Sequence, residues 1–216
     1  MATRIINRPS IKIEVKDGKY KPFIFDNGKK RYLCDSDEPE PEPVIPTDRI
    51  LYTVVAGGTK PESTWITNNC SENVFDESTG KGYLVLNEDV NTLDADSEDN
   101  SIFNDSGDSN IAGVIIPSQI TTLGLGAFAH CTNLISAIIP NSVSSIGESV
   151  FKDCTSLASV ACLATTPPIL GEDVFANINT TTCGVPEASI SAYQNNPSWS
   201  AVFTTFVKAI PENPEK

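Results

Sequence analysis

The sequence predicts a mainly β chain: a short solenoid of 23-residue coils, with a small β hairpin or meander in front. Internal repetition is the first reason. Residues 115–137, IIPSQITTLGLGAFAHCTNLISA, return as residues 138–160, IIPNSVSSIGESVFKDCTSLASV. Ile116, Pro117, Ile120, Leu123, Gly124, Phe128, Cys131, Leu134 and Ala137 reappear 23 positions later as Ile139, Pro140, Val143, Ile146, Gly147, Phe151, Cys154, Leu157 and Val160. A unit this short cannot bury its own apolar side chains, so it must stack on a neighbour that carries the same pattern. Composition is the second reason. Fifteen prolines, 13 glycines and only 7% aromatic residues suit a turn-rich β stack with a thin core.

In chain order, residues 1–34 read as a basic β arm. Ile11, Ile13 and Val15 alternate with polar residues, Asp17-Gly18 turns the chain, Tyr20, Phe23 and Phe25 continue an extended run, and Asn27-Gly28 turns it again. So small a meander cannot bury a core alone and must dock on something. Residues 35–49 are a linker, since DSDEPEPEPVIP is extended and semi-rigid by composition. The repeats lie within residues 50–210. Within that span, DADSEDNSIFNDSGDSN at 94–110 is an acidic insertion before the first clear coil. In each coil the spacing Leu134-x-x-Ala137-x-Ile139, repeated as Leu157-x-x-Val160-x-Cys162, gives one strand with its apolar residues pointing inward. Ile120 and Leu123, with Val143 and Ile146, form a second extended edge, and Phe128 and Phe151 plug the coils. Gly124 and Gly147 are expected in a backbone conformation closed to residues with a Cβ, and Pro117 and Pro140 end the strands. Residues 211–216 are a tail.

The pattern IPxSVxxIGxxxFxxCxSLxSV resembles the BspA-type, or treponemal-type, leucine-rich repeat, a family common in bacterial surface and adhesion proteins. CLATTPPILGEDVF at 162–175 resembles a last coil, with Gly171 and Phe175 displaced by one extra residue. Residues 184–210 resemble the family's cap, a short helix followed by a closing strand, and residues 50–93 resemble the segment that opens many such proteins. The resemblance implies a leucine-rich-repeat solenoid and a role in binding.

Charge divides the chain. The net charge is −13, yet residues 1–31 hold nine basic residues against three acidic ones, or +6, which leaves −19 for the rest. An acidic body argues against nucleic acid as a partner, and a basic arm favours an acidic surface. No apolar run is long enough to insert in a membrane or to act as a secretory leader, so the expectation is that either the sequence is a trimmed piece or the protein works without its own export.

Little of the sequence suggests chemistry. Asp94, Asp96, Glu98, Asn100 and Asp105 have the offsets of a calcium loop, but Asp99 stands at the turn-glycine position and Asp105 where a bidentate Glu is usual. The segment therefore reads as a solvated polar loop, and no metal site is expected. The six cysteines show no CxxC and the chain has one histidine, so the thiols are expected to be reduced and structural. Gly147-Glu148-Ser149-Val150-Phe151 lacks the second glycine of a nucleophile elbow. His130 takes a variable outward position that Asp153 fills in the next coil, which reads as a solvated surface histidine. No catalytic residue and no cofactor is predicted.

Two contact elements are predicted instead. Arg4, Arg8, Lys12, Tyr20, Phe23, Phe25 and Arg31 are the docking residues of the arm. The outward positions of the coil strands, with Ile115, Ile135 and Ile138 as the contact face, carry no charge. In so acidic a chain that strip is either a packing surface for another subunit or a ligand, or an ordinary strand face. A basic anchoring arm, a stiff linker and an adhesion-type module together resemble a bacteriophage virion protein of the head-fibre, capsid-decoration or tail-fibre kind. Its expected partners are capsid or tail proteins through residues 1–34, sister copies in a homo-oligomer and a host surface ligand. Its expected location is the virion, assembled in the host cytoplasm. The alternative is a BspA-type adhesin on a bacterial cell surface.

Overall fold

The computed structural model describes residues 12–16, 19–26, 29–32, 46–95, 97, 101–103 and 110–209, the first three ranges as backbone. The chain divides into two compact units, Met1–Glu42 and Pro43–Lys216. In the first, β1 (Lys12–Lys16), β2 (Lys19–Asp26) and β3 (Lys29–Tyr32) form an antiparallel sheet in chain order, with Lys12 opposite Phe23, Val15 opposite Tyr20 and Ile24 opposite Arg31. The expected turn pairs Asp17-Gly18 and Asn27-Gly28 lie outside the described residues.

The second unit is mainly β and is built on two sheets. The larger has eight strands: β4 (Arg49–Val54), β5 (Cys70–Asp76), β6 (Lys81–Leu86), β8 (Ile111–Ile115), β10 (Ser136–Ile139), β12 (Ser159–Cys162), β14 (Thr182–Val185) and β15 (Thr205–Lys208). Their order across the sheet is β15-β14-β12-β10-β8-β4-β6-β5. The smaller sheet has the two-residue strands β7 (Thr92–Leu93), β9 (Thr122–Leu123), β11 (Ser145–Ile146) and β13 (Ile169–Leu170).

From β8 to β15 every pairing in the large sheet is parallel. Gly113 faces Ser136, Ser136 faces Ser159, Val160 faces Cys183 and Cys183 faces Phe206, each partner 23 residues further on. The small sheet keeps that step from Thr122 to Ser145, takes 24 residues from Ser145 to Ile169, and takes 30 from Thr92 to Thr122 across the acidic insertion. The extra residue near 163–168 is lost again before β14, so the large sheet never leaves its register. β4, β6 and β5 pair antiparallel, and β4 joins them to β8.

The core lies between the two sheets. Leu134, Ala137 and Ile139 of one repeat and Leu157, Val160 and Cys162 of the next are buried, as the inward spacing requires. Through the middle runs a file of rings. Phe103, Phe128, Phe151 and Phe175 follow one another at centroid distances of 6.0, 5.2 and 5.4 Å, and the last two pairs are within 8° of parallel. Tyr52 meets the file at one end, and Phe203 and Trp199 meet it at the other. Offset ring pairs add about 0.5–1.5 kcal/mol each beyond their area.

The repeats turn on residues other than those expected. Gly124 and Gly147 do not have positive φ; the left-handed positions are Gly126, Ser149 and Asp173, and then His130, Asp153 and Asn177. Their amides reach the next repeat: Gly126 N–H donates to Glu148 O at 3.0 Å, Ser149 to Glu172 O at 3.0 Å, His130 to Lys152 O at 2.8 Å and Asp153 to Ala176 O at 2.9 Å. These inter-repeat bonds offset a conformational cost of about 1–2 kcal/mol per non-glycine residue. Gly124 and Gly147 are needed for closeness instead. A Cβ on Gly124 would run into the Asp94 carboxylate, and one on Gly147 would lie 3.1 Å from the Gly124 carbonyl carbon.

Unique segments close both ends. Helix α1 (Thr64–Asn69) is capped by Ser63, whose hydroxyl accepts from Ile66 N at 3.1 Å and donates to Ile102 O at 2.6 Å. At the other end the single expected helix is a 3-10 turn (Glu187–Ser189) followed by α2 (Ile190–Gln194) and α3 (Pro197–Val202). Asn196 caps α3 and Pro197 opens it, which breaks the helical path in two. Buried Trp199 donates its indole N–H to Pro168 O at 2.9 Å.

Candidate functional site

The outer face of the large sheet carries one uninterrupted row. Val74 stands opposite Tyr83, then come Leu51, Ile115, Ile138, Ala161, Gly184 and Val207, one residue from each of the eight strands. No member is charged. The parallel row beside it, Thr53, Gly113, Ser136 and Ser159, with Thr182 opposite Thr205 beyond, is small and neutral until it reaches Lys81 and Asp76 at the β5 end. A side chain on this face points away from the core because successive strand residues alternate sides.

The strip is less open than the sequence suggests. Ile115 and Ile138 are each 8% exposed; with Ala161 they form a cluster separate from the main core, against which Leu51, Leu163 and Ala209 pack. Flanking strands on both sides shield these side chains laterally. Ile135, just before β10, is 50% exposed, and Val74 and Val207 at the two ends are 41% and 43% exposed. Of the expected contact residues, Ile115 and Ile138 stand in the middle of the row and Ile135 lies outside it, while the exposed ends Val74 and Val207 are not among them. The signal for Leu51 was present in the alternation of β4, where Leu51 and Thr53 are out of phase with buried Ile50 and Tyr52. Charge gathers at one margin: the Arg49 guanidinium lies 5.1 Å from the Tyr83 ring centroid and binds Asp48 through two nitrogens at 3.0 and 3.1 Å. That hydrogen-bonded pair holds the half-exposed Asp48 carboxyl below its ordinary range.

Of the arm residues, Lys12, Tyr20, Phe23, Phe25 and Arg31 sit on the three short strands, and Arg4 and Arg8 lie outside the described residues. Of the calcium-loop positions only Asp94 is described, and no group of His, Cys, Asp and Glu able to hold a metal occurs among the described residues. His130 is half-buried rather than freely solvated: its Nδ1 is 3.4 Å from Asp153 Oδ2, and Asp153 Oδ1 accepts from Asn177 Nδ2 at 2.6 Å. The three occupy the same left-handed position in successive repeats, so this polar ladder follows from the stacking.

Several buried or partly buried thiols and two tyrosines, Tyr52 and Tyr193, are held neutral by their surroundings. Cys70, Cys131, Cys154, Cys162 and Cys183 are all unlinked. Burial pushes Cys162 up to about 11, where the Tyr193 hydroxyl lies 3.2 Å from its sulfur and 2.9 Å from Ala164 O. Burial likewise raises Cys154, Cys183 and Tyr193. A depression beside α1, lined by Lys60, Thr67, Cys70 and Glu72 among others, contains one thiol. Burial pushes Cys70 up to about 11, which keeps it protonated at neutral pH and a poor nucleophile. No helix is long and apolar enough to cross a membrane among the described residues.

The sequence profile described as the BspA type leucine rich repeat region matches residues 71–197 in six copies. No curated protein matches the chain.

Proposed function

The chain belongs to the BspA-type leucine-rich repeat family, and from that premise we propose that it is a non-enzymatic contact protein whose strands are successive 23-residue coils of a short solenoid. The family is generally a non-enzymatic binding repeat, and an adhesin-like role agrees with the match. The observation that carries the reading is the uncharged row across eight strands in a chain of net charge −13. An acidic protein that keeps its charge off the β8–β15 part of this face leaves that part able to approach another surface without paying for desolvation of ions. Ile135, just before β10, offers a half-exposed large apolar side chain, and Ile115 and Ile138 lie packed within the row itself.

The setting we propose is a bacteriophage virion, as a head-fibre, capsid-decoration or tail-fibre component assembled in the host cytoplasm. Division of charge supports it. An arm of +6 ahead of a body of −19 separates an anchor from a displayed module, and Arg4, Arg8, Lys12, Tyr20, Phe23, Phe25 and Arg31 are its docking residues against capsid or tail proteins. Many copies on one particle turn weak single contacts into firm attachment to a host surface. Deleting residues 1–34 should leave a folded protein that no longer joins the particle. If the truncated protein is still incorporated, the anchoring role is wrong. The family match fits a bacterial surface adhesin equally well, and immunogold labelling separates the two: label on intact particles supports the virion setting, and label on the cell envelope alone supports the adhesin.

A further inference from the structure

The large sheet ends on two strands that each have one neighbour among the described residues: β5 beside β6 and β15 beside β14. The free side of such a strand presents unpaired backbone N–H and C=O groups, a template for another strand. Native edges are commonly blunted by charge or by a covering element. Here both edges carry, besides the charged Glu72, Asp76 and Lys208, an exposed valine in the outer row, Val74 at 41% and Val207 at 43%. On the opposite face the adjoining residues are both aromatic: Phe75 packs half-buried against the core, and Phe206 is 7% exposed.

Strand direction and charge decide what fits. β15 runs parallel to β8, while β4, β6 and β5 reverse direction in turn, so β5 runs opposite to β15. A sheet continued from β15 of one copy into β5 of another is therefore antiparallel, the more stable pairing for short strands. With Val207 set opposite Val74 of the second copy, Phe206 falls opposite Phe75, Thr205 opposite Asp76, and Lys208 opposite Asn73 with Glu72 next to it. Valine meets valine on the outside and phenylalanine meets phenylalanine on the inside. β5 contains Glu72 and Asp76 and no basic residue, and β15 contains Lys208 and no acidic one. Two β5 edges brought together in this register would set Glu72 against Asp76, acid against acid, which is unfavourable across strands, whereas β15 brings no acid to β5; Lys208 faces the other side and is paired with Glu187 at 3.1 Å.

We propose that copies of this chain join head to tail through β15 of one and β5 of the next, extending the eight-stranded sheet and its neutral outer row from copy to copy. This rests on the reading that the protein acts as many copies in contact. A four-residue strand makes a weak joint alone, so the joint forms where copies are held close together. It is heterologous, and repetition gives a ring if the rotation closes and an open file if it does not.

The test uses the full chain with Cys34→Ser and Cys70→Ser as background. One preparation carries Val74→Cys, another Val207→Cys, and each is treated with a short bismaleimide alone and as an equal mixture. The expected result is a cross-linked dimer in the mixture and none in either alone. In parallel, the sedimentation coefficient of wild type should rise with concentration, and that rise should be lost in Val74→Lys and in Val207→Lys while the circular dichroism of both stays native. A dimer from either single preparation would mean that like edges meet and would overturn the proposal. So would a wild type that stays monomeric at millimolar concentration with no cross-link in the mixture. If the joint fails while particles carrying Val207→Lys still attach to their host, this inference falls and the contact reading stands.

Discussion

The half of the body from β8 to β15 and the opening half from β4 to β6 share one sheet but are held together in different ways. In the first, each contact recurs. The same phenylalanine stacks on its own image, and the same two left-handed residues pass a hydrogen bond to the next repeat. In the second, contacts occur once. Tyr52 donates to Asn73 Oδ1 at 3.0 Å, within reach of Val74 O, and Asn73 Nδ2 donates to Pro61 O at 2.8 Å. Recurrence couples neighbours, because each repeat supplies part of the next one's core. Single contacts confine damage to where it occurs.

The sharpest way to break this contrast is to remove one ring from each half. Phe151 is fully buried between two stacked neighbours, and Phe151→Ala should cost about 3–5 kcal/mol, with loss of protection in the repeats on both sides. Phe75 is only partly buried, so Phe75→Ala should cost less and leave β10 to β14 protected. Hydrogen exchange with thermal melts reads both; equal effects would erase the distinction.

Alkaline pH acts unevenly on the two halves. Cys154, Cys162, Cys183 and Tyr193 are all raised by burial in the repeats and the cap, against Cys70 and Tyr52 in the opening half. A raised folded value means that the unfolded chain gives up its proton first. The stability these groups hold is whole below the ordinary thiol value of 9.0 and is lost as pH climbs toward the folded values, such as about 11 for Cys162. Each ionising group removes about 1.4 kcal/mol per pH unit in that window. Melting temperature should be flat from about pH 7 to pH 8.5 and fall steeply above pH 9. A flat profile to about pH 10.5 would contradict the burial of these groups.

Smaller effects sharpen the comparison further. Tyr52→Phe leaves the Asn73 side chain without its donor and should cost about 1–2 kcal/mol, confined to β4–β6. Asp173→Gly relieves a left-handed residue with φ of 51° on the exposed side of a repeat, and should raise stability by about 0.5–1 kcal/mol in a denaturant titration.

The same contrast explains what could be read in advance. Inward positions such as Leu134, Ala137 and Ile139 were legible because two copies of the repeat vote on each one. The left-handed positions were assigned to the wrong glycines: Gly124 and Gly147 recur for closeness, while the turning residues Gly126 and Ser149 share no side chain that marks them. A comparison of Gly126 with Ser149 and Asp173, all small or locally hydrogen-bonding types, would have found them. The outer row was half legible. Its repeat members could be listed by register, but Val74, Tyr83 and Leu51 join it through antiparallel pairings that no repeat encodes. Burial of Ile115 and Ile138 depends on side chains brought alongside by other strands, Leu51 of β4 and Leu163 just after β12 among them, which a local pattern does not reveal.

Attachment of particles carrying Ile135→Lys tests the contact reading most directly. Ile135 is half exposed and lies outside both core clusters, so a charge there should leave melting unchanged within a degree or two while it puts an ion into the neutral face. The account predicts normal folding and incorporation with at least a tenfold loss of host attachment, about 1.4 kcal/mol in the overall attachment free energy. Attachment at the wild-type level, with the variant protein present on the particle, would contradict it.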